Sequence, residues 1–200
     1  MERADAARNR VRLLDAATRL VAEHGAEHVT MQAVAEEAGV GKATLFRRFG
    51  NRNGLLMALL GEAEALFQEA YTSGPPPLGP GAPAVDRLTA FGHALIERAA
   101  ADSDLGVALG RRLPYACRHD SETGQAFHSH IADLLWEAGI DGDCDMLAHA
   151  LLGFASIELS DYLRLDHEVP ITRLQAAWVD LVQRVTQPVA EHEDNLHADA

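Results

Sequence analysis

The stretch T-M-Q-A-V-A-E-E-A-G-V-G-K-A-T-L-F-R-R-F-G, residues 30–50, contains the only lysine of the chain, Lys42, and an adjacent arginine pair, Arg47 and Arg48. Its residues punctuate two short helices. Thr30 is a good N-cap for a helix over Met31 to Ala38, which Gly39 ends. The next helix begins after only Val40 and Gly41. On that helix Leu45 and Phe49 are one turn apart and face inward together, while Thr44, Arg47 and Arg48 fall on other faces. Upstream, R-V-R-L-L-D-A-A-T-R-L-V-A-E-H-G (residues 10–25) places Val11, Leu14, Ala17 and Val21 in a stripe of helical period, with Leu13, Ala16 and Leu20 beside it, ended by Gly25. Downstream, Asn51 is the expected cap of a fourth helix whose apolar residues run from Leu55 to Phe67 and stop near Tyr71. An amphipathic helix followed by two short helices across a tight glycine turn describes a helix-turn-helix unit. Such a unit lays its last helix in the DNA major groove.

Charge supports that geometry. The chain has a formal net charge of -13 over 200 residues, which excludes a protein that coats nucleic acid through its overall field. The average hides an asymmetry: residues 1–60 hold nine basic and seven acidic side chains (net +2), and residues 61–200 hold eight and twenty-three (net -15). Between Glu37 and Glu62 no acidic residue occurs, yet Lys42, Arg47, Arg48 and Arg52 do. A phosphate-facing surface requires such a gap, because each neutralised phosphate releases condensed counterions. A second acid-free run, between Asp104 and Asp120, carries Arg111, Arg112 and Arg118 without this spacing and reads as a solvated face. Arg8, Arg10 and Arg12 alternate and cannot share one helical face; an arm beside a DNA groove and a frayed terminus are both open to them.

Over residues 10–60 the chain resembles the N-terminal domain of the TetR family of bacterial transcriptional regulators. The resemblance rests on the A-x-x-L-x-x-x-x-G of helix one, the T-x-x-x-V-A-x-x-A-G-V turn, the T-L-F-x-x-F ending of the third helix and the L-L start of the fourth. It implies that Thr30 and Arg52 hold phosphates and that Gly41, Lys42, Ala43, Thr44 and Arg47 form the recognition surface. Lysine or arginine can donate to guanine O6 and N7, and the Thr44 methyl can meet a thymine methyl. Two departures stand out: Gly41 occupies a position where the family commonly has serine, and Phe46 one where tyrosine is common. Phe46 therefore cannot make a phenolic phosphate contact, and Arg47 and Arg48 can supply charge in its place.

Beyond residue 72, the segment S-G-P-P-P-L-G-P-G-A-P holds five of the eight prolines and must interrupt helix. Helical periodicity then returns over about 84–101, 103–112, 121–138, 142–165 and 171–186, with no strand alternation. The expected fold is all-α: a helix-turn-helix DNA-binding domain (residues 1–52), a helical ligand-binding and dimerisation domain (53–187) and an acidic tail without apolar period (188–200).

Residues 146–159 are apolar around nearly the whole helical circumference, so one side is expected to pack in the protomer and another against a second copy. This nominates Leu147, Leu151 and Ala155 for dimerisation, with Leu174, Trp178, Leu181 and Val185 of the last helix. Together they would build the four-helix interface that the family resemblance also implies. A two-fold dimer predicts an operator of palindromic character. Phe91, Leu95, Leu113, Phe127, Ile131, Leu134, Phe154 and Ile157 could line an apolar cavity, with His93, His128, Ser156 and Glu158 as polar anchors; most of the apolar ones are expected to be core, because helical stripes bury whether or not a ligand exists. The family resemblance implies a small-molecule inducer there, whose identity is not written in the sequence.

His128 and His130, two apart on a presumed helix, point to different sides, and with Cys117 and His119 they do not compose a metal site; no cofactor is expected. No G-x-S-x-G, Walker loop or H-E-x-x-H occurs, which makes an all-helical enzyme the remote alternative. Two cysteines without C-x-x-C spacing, a charged N-terminus and no long apolar run read as a cytoplasmic protein with no membrane partner. The expectation is a ligand-released repressor. A TetR-like activator, or a regulator answering to a protein partner, is the alternative.

Overall fold

The computed structural model describes residues 2–109 and 121–187, with side chains from residue 9 onward. Among the described residues nine helices follow one another: α1 (Glu2–His24), α2 (Met31–Glu37), α3 (Lys42–Phe49), α4 (Arg52–Ser73), α5 (Ala84–Ala108), α6 (Glu122–Glu137), α7 (Cys144–Phe154), α8 (Ile157–Asp161) and α9 (Ile171–Thr186). A 3-10 turn, Ala26–His28, joins α1 to α2, and a π-helical segment, Tyr162–Asp166, continues α8. No strand occurs among the described residues, and no described helix is long and apolar enough to cross a membrane.

Two hydrophobic cores organise these helices. The first joins Leu13, Leu14, Ala16 and Ala17 of α1 to Val34, Leu45, Leu55, Leu56 and Leu59, and also takes in Leu105 from the far end of α5. The second gathers Phe67 and Tyr71 of α4 with Phe91, Ile131, Leu151 and Trp178. Helix α4 thus serves both: its first three turns belong to one core and its last two to the other. The division expected at residues 52 and 53 falls at its start.

Helix α9 lies along α5, and the contact turns on one glycine. A Cβ on Gly92 would fall 1.7 Å from Trp178 Cε2, so only glycine lets the fully buried indole lie on the helix backbone. Its ring N–H donates to the Leu88 carbonyl at 3.2 Å, giving the buried donor a partner.

Two expectations about helix limits are corrected. Helix α5 runs unbroken through Ala108 instead of pausing near residue 102. The polar run A-D-S-D stays helical because Asp102 pairs with Arg98 at 3.1 Å, one turn back, and Ser103 is buried. Residues 142–165 do not form one helix. Ser156 accepts from the Leu159 backbone N–H and starts a new helix, α8, directly after α7. The acidic tail, Leu113, Cys117, His119 and Arg111, Arg112 and Arg118 lie outside the described residues.

Candidate nucleic-acid interface and cavity

Local chemistry builds the helix-turn-helix. Thr30 Oγ1 accepts from Ala33 N at 3.1 Å and caps α2. Gly39, at φ +64°, then closes that helix, with Gly39 N bonded to Glu36 O and Val40 N to Ala35 O, the paired bonds of a Schellman turn. Arg12 Nη2 donates to the remaining Ala38 carbonyl at 3.0 Å. Gly41 caps α3 without a side-chain bond, as a glycine must. Leu45 is fully buried and Phe49 half-buried, so the inward face of α3 is the one expected.

The opposite surface of α3 is cationic. Gly41, Lys42, Ala43, Phe46, Arg47 and Arg48 are exposed and Thr44 is half-exposed. Lys42, Arg47 and Arg48 enter no ion pair among the described residues. Thr44, Arg47 and Arg48 border a small hollow of about 220 Å³ that α1 closes with Asn9, Arg10 and Leu13. The Arg10 guanidinium is held by Glu62 of α4 at 2.6 Å, and Arg12 by the turn, so both act within the protein.

Arg52 departs from the phosphate-holding role that the resemblance implied. Its guanidinium donates to four carbonyls: Ala26 (2.7 Å), Val29 (2.8 Å), Glu27 (3.1 Å) and Ala108 (3.0 Å). It ties the turn before α2 to the end of α5. The sequence carries no local signal for this, because the partners lie 23 to 56 residues away.

The nominated dimer residues divide. Leu151, Ala155, Leu174 and Trp178 are buried within the protomer and leave little surface for a second copy. Leu147, Leu181 and Val185 are half-buried and pack against the second core. What α7 and α9 expose instead includes Met146, His149 and Ala150, and Thr172, Ala176 and Asp180.

The nominated cavity residues divide as well. A cavity of about 790 Å³ opens between α4, α5, α6 and the α8–π segment, and of the expected residues Leu95, Phe127, Ser156, Ile157 and Glu158 line it. Phe91 and Ile131 are fully buried in the second core, and Phe154 packs on Trp178 at 6.4 Å between ring centroids. Neither His93 nor His128 lines the cavity. His128 instead meets Asp145 and His149 of α7, with ligand-type atoms within 4.8 Å of one another on the protein surface. His130 stacks on Tyr71 and Phe91, at 4.6 and 4.9 Å. Burial, aided by the Arg87 charge and opposed by Asp133, lowers its pKa to about 4. Burial and then Glu64 raise the Tyr71 phenol above its usual range.

The residues that do line the cavity come from helix faces chosen by packing. Helix α4 gives Met57, Leu60, Gly61 and Glu64, α5 gives Leu95, Arg98 and Asp102 with Gly106, Val107 and Leu109 beyond them, and the α8–π segment gives Glu158, Asp161, Tyr162, Leu165 and Asp166. The last five recur at 3-1-3-1 spacing, one helical face, which was the available signal.

Residues 13–59 match the family model for bacterial regulatory proteins of the tetR family. A curated relative, the uncharacterized HTH-type transcriptional regulator YvkB of Bacillus subtilis (strain 168), is 45% identical over 51 residues, 26% of this chain and 27% of that one. The match therefore spans about a quarter of that relative's length. The fold of nearly the whole chain is shared with SCO4454, a TetR-family transcriptional regulator from Streptomyces coelicolor (TM-score 0.63, 20% identity, 89% of this chain and 94% of that one). It is also shared with AibR, solved in complex with isovaleryl coenzyme A and operator DNA (TM-score 0.52, 20% identity, 90% and 99%).

Proposed function

We propose that the chain is a TetR-family regulator, a reading supported by the family-model match over residues 13–59 and by the shared fold, and that it binds a double-stranded DNA operator sequence-specifically as a homodimer and represses transcription until a small molecule enters the cavity. The observation that carries this reading is that the two helices α4 and α5 both line the cavity and pack in the core that supports the helix-turn-helix. Helix α4 starts on the first core, against α3, and presents Met57, Leu60, Gly61 and Glu64 to the cavity. The end of α5 lines the cavity through Gly106, Val107 and Leu109, sends Leu105 into the first core, and accepts from Arg52 at Ala108.

A ligand that fits one arrangement of these two helices better than another shifts the spacing of the two recognition helices in a dimer, in proportion to its differential affinity. Within each half, Lys42 and Thr44 on the first turn of α3 reach base edges, Arg47 and Arg48 hold the backbone, and the Thr30 hydroxyl keeps its proton free for a phosphate. The exposed faces of α7 and α9, around Ala150 and Ala176, join the two copies. Ala150→Arg with Ala176→Arg gives a monomer in sedimentation if these faces do so.

Selection of the bound sequence from random DNA tests the reading directly. A palindromic site whose affinity falls in Lys42→Ala and Arg47→Ala is the expected result. Recovery of no preferred sequence by the intact dimer would sink it. The coenzyme A ester of AibR does not carry over to this chain: the cavity's described lining is rich in carboxylates, which repel such an anion.

A further inference from the structure

The cavity of the proposed regulator has a composition that selects one class of ligand, and this inference rests on that reading. Its apolar wall comes from Met57, Leu60, Leu95, Val107, Phe127 and Ile157. Its described polar lining includes five carboxylates, Glu64, Asp102, Glu158, Asp161 and Asp166. Among the described lining residues the only basic side chain is Arg98. Its guanidinium is already engaged, with Nε on Asp102 Oδ2 at 3.1 Å, Nη1 on the Ala63 carbonyl at 3.1 Å and the group lying over the Phe67 ring at 5.6 Å. Its Nε and Nη1 donors and its ring contact are thus taken up within the protein.

The acidic side, in contrast, has an open acceptor. Asp161 Oδ1 is shielded from solvent and has no hydrogen-bond partner among the described residues. Buried polar atoms are nearly always satisfied, and an orphan invites a ligand or ion that supplies the missing group. Glu64 differs, because it accepts from the Thr123 hydroxyl. Asp161 stands next to Tyr162 and one turn after Glu158, on the helical face that also brings Leu165 and Asp166 to the cavity. A face that alternates carboxylates with an aromatic ring offers a cation both Coulomb attraction and a π surface.

We propose that the cavity binds a hydrophobic cation, a molecule with an apolar aromatic or alkyl body and a single amine, amidine or onium centre, seated with its charge beside Asp161 and Tyr162. Shape lets a molecule of several rings fit in about 790 Å³, and the Asp161 carboxylate favours a cation over its anionic counterpart. In an enclosed site a unit charge a few ångströms from a carboxylate is felt far more strongly than in water.

Tetraphenylphosphonium and tetraphenylborate are nearly identical in size and shape and opposite in charge, so together they isolate the sign. Calorimetric titration of the full chain is expected to give tetraphenylphosphonium at least about tenfold tighter binding than tetraphenylborate. Asp161→Asn, which is isosteric, is expected to lower that ratio by about tenfold while tetraphenylborate binds as before or better. A melting curve for each protein establishes that the variant is folded. Equal affinities, a preference for tetraphenylborate, no binding of either ion, or an unchanged ratio in folded Asp161→Asn overturns the proposal. Cation-selective binding that leaves operator affinity unaltered upholds the ligand class and defeats the release reading; operator release by an anion alone does the reverse.

Discussion

Replacing Arg52 separates two roles that make opposite predictions. In the structure Arg52 is a clamp: three part-buried hydrogen bonds and one exposed bond tie the Ala26–Val29 turn to Ala108. Removing the guanidinium leaves carbonyls that water can only partly reach, since Ala26 and Val29 are 3% and 2% exposed. At roughly 1 kcal/mol for each part-buried bond and little for the exposed one, Arg52→Met costs about 3 kcal/mol. In a chain of this size that is a melting-point loss of about 6–12 °C. A lysine keeps the charge but cannot span four acceptors from one planar fork, so Arg52→Lys recovers only a small part of the loss. A phosphate contact behaves differently. Its removal lowers operator affinity and shallows the salt dependence by about one log-log unit per protomer, and lysine restores both. Thermal melts of both variants, with anisotropy titrations across a salt series, measure the two quantities together. Wild-type melting in Arg52→Met, with a shallower salt slope that Arg52→Lys restores, would refute the clamp and reinstate the phosphate contact.

Arg47→Ala and Arg48→Ala are each expected to weaken operator binding with little change in melting, because both are exposed and enter no ion pair among the described residues; a backbone contact also shows a salt slope about one unit shallower, read by anisotropy. Gly92→Ala forces a methyl to within 1.7 Å of Trp178 Cε2 and is expected to cost about 3 kcal/mol or to prevent folding, and the added Trp178→Phe change recovers part of that stability in denaturant melts. His130 carries a pH dependence: the unfolded side chain takes up a proton near pH 6.5 and the folded one only near 4, so between these values the unfolded state binds more protons. Stability therefore falls as pH drops from 6.5 toward 4, by about 3 kcal/mol for the full shift and by about 1–2 kcal/mol after allowing for solvent screening of a half-buried ring. His130→Phe is expected to flatten that part of the stability profile; an unchanged profile would contradict the assignment.

The helix-turn-helix was legible because its determinants are local. Thr30, Gly39, Gly41, Leu45 and Asn51 each act within five residues, and the structure shows the cap, turn or inward face that each implied. Residues whose meaning depends on distant partners were not legible. Trp178 has the spacing of an interface residue, and in sequence the stripe that buries against α5 is indistinguishable from one that buries against a second copy. Gly92, which decides between them, lies 86 residues earlier. Arg52 sits where a phosphate contact is implied, and only the folded chain brings Ala108 to its guanidinium. The cavity was half legible: Phe127 and Ile157 line it, whereas Phe91 and Ile131, equally apolar and equally periodic, fill the core beside it.

The charge asymmetry of the sequence takes on a mechanical meaning once the two sites are placed. The exposed surface of α3 proposed to face DNA is cationic and the described cavity lining is rich in carboxylates, so a hydrophobic cation is drawn to the second and not to the first. A ligand of that charge therefore cannot release the operator by competing for the basic face. Its effect must travel through α4 and the end of α5, the two elements that touch the cavity and also pack in the first core. Arg52 stands at the α5 end of that route. If the route through α5 matters, Arg52→Met in a protein that still folds and still binds its operator retains ligand affinity and loses ligand-driven release. Loss of ligand binding itself would place Arg52 in the support of the cavity, and full release in that variant would leave α4 as the sole connection.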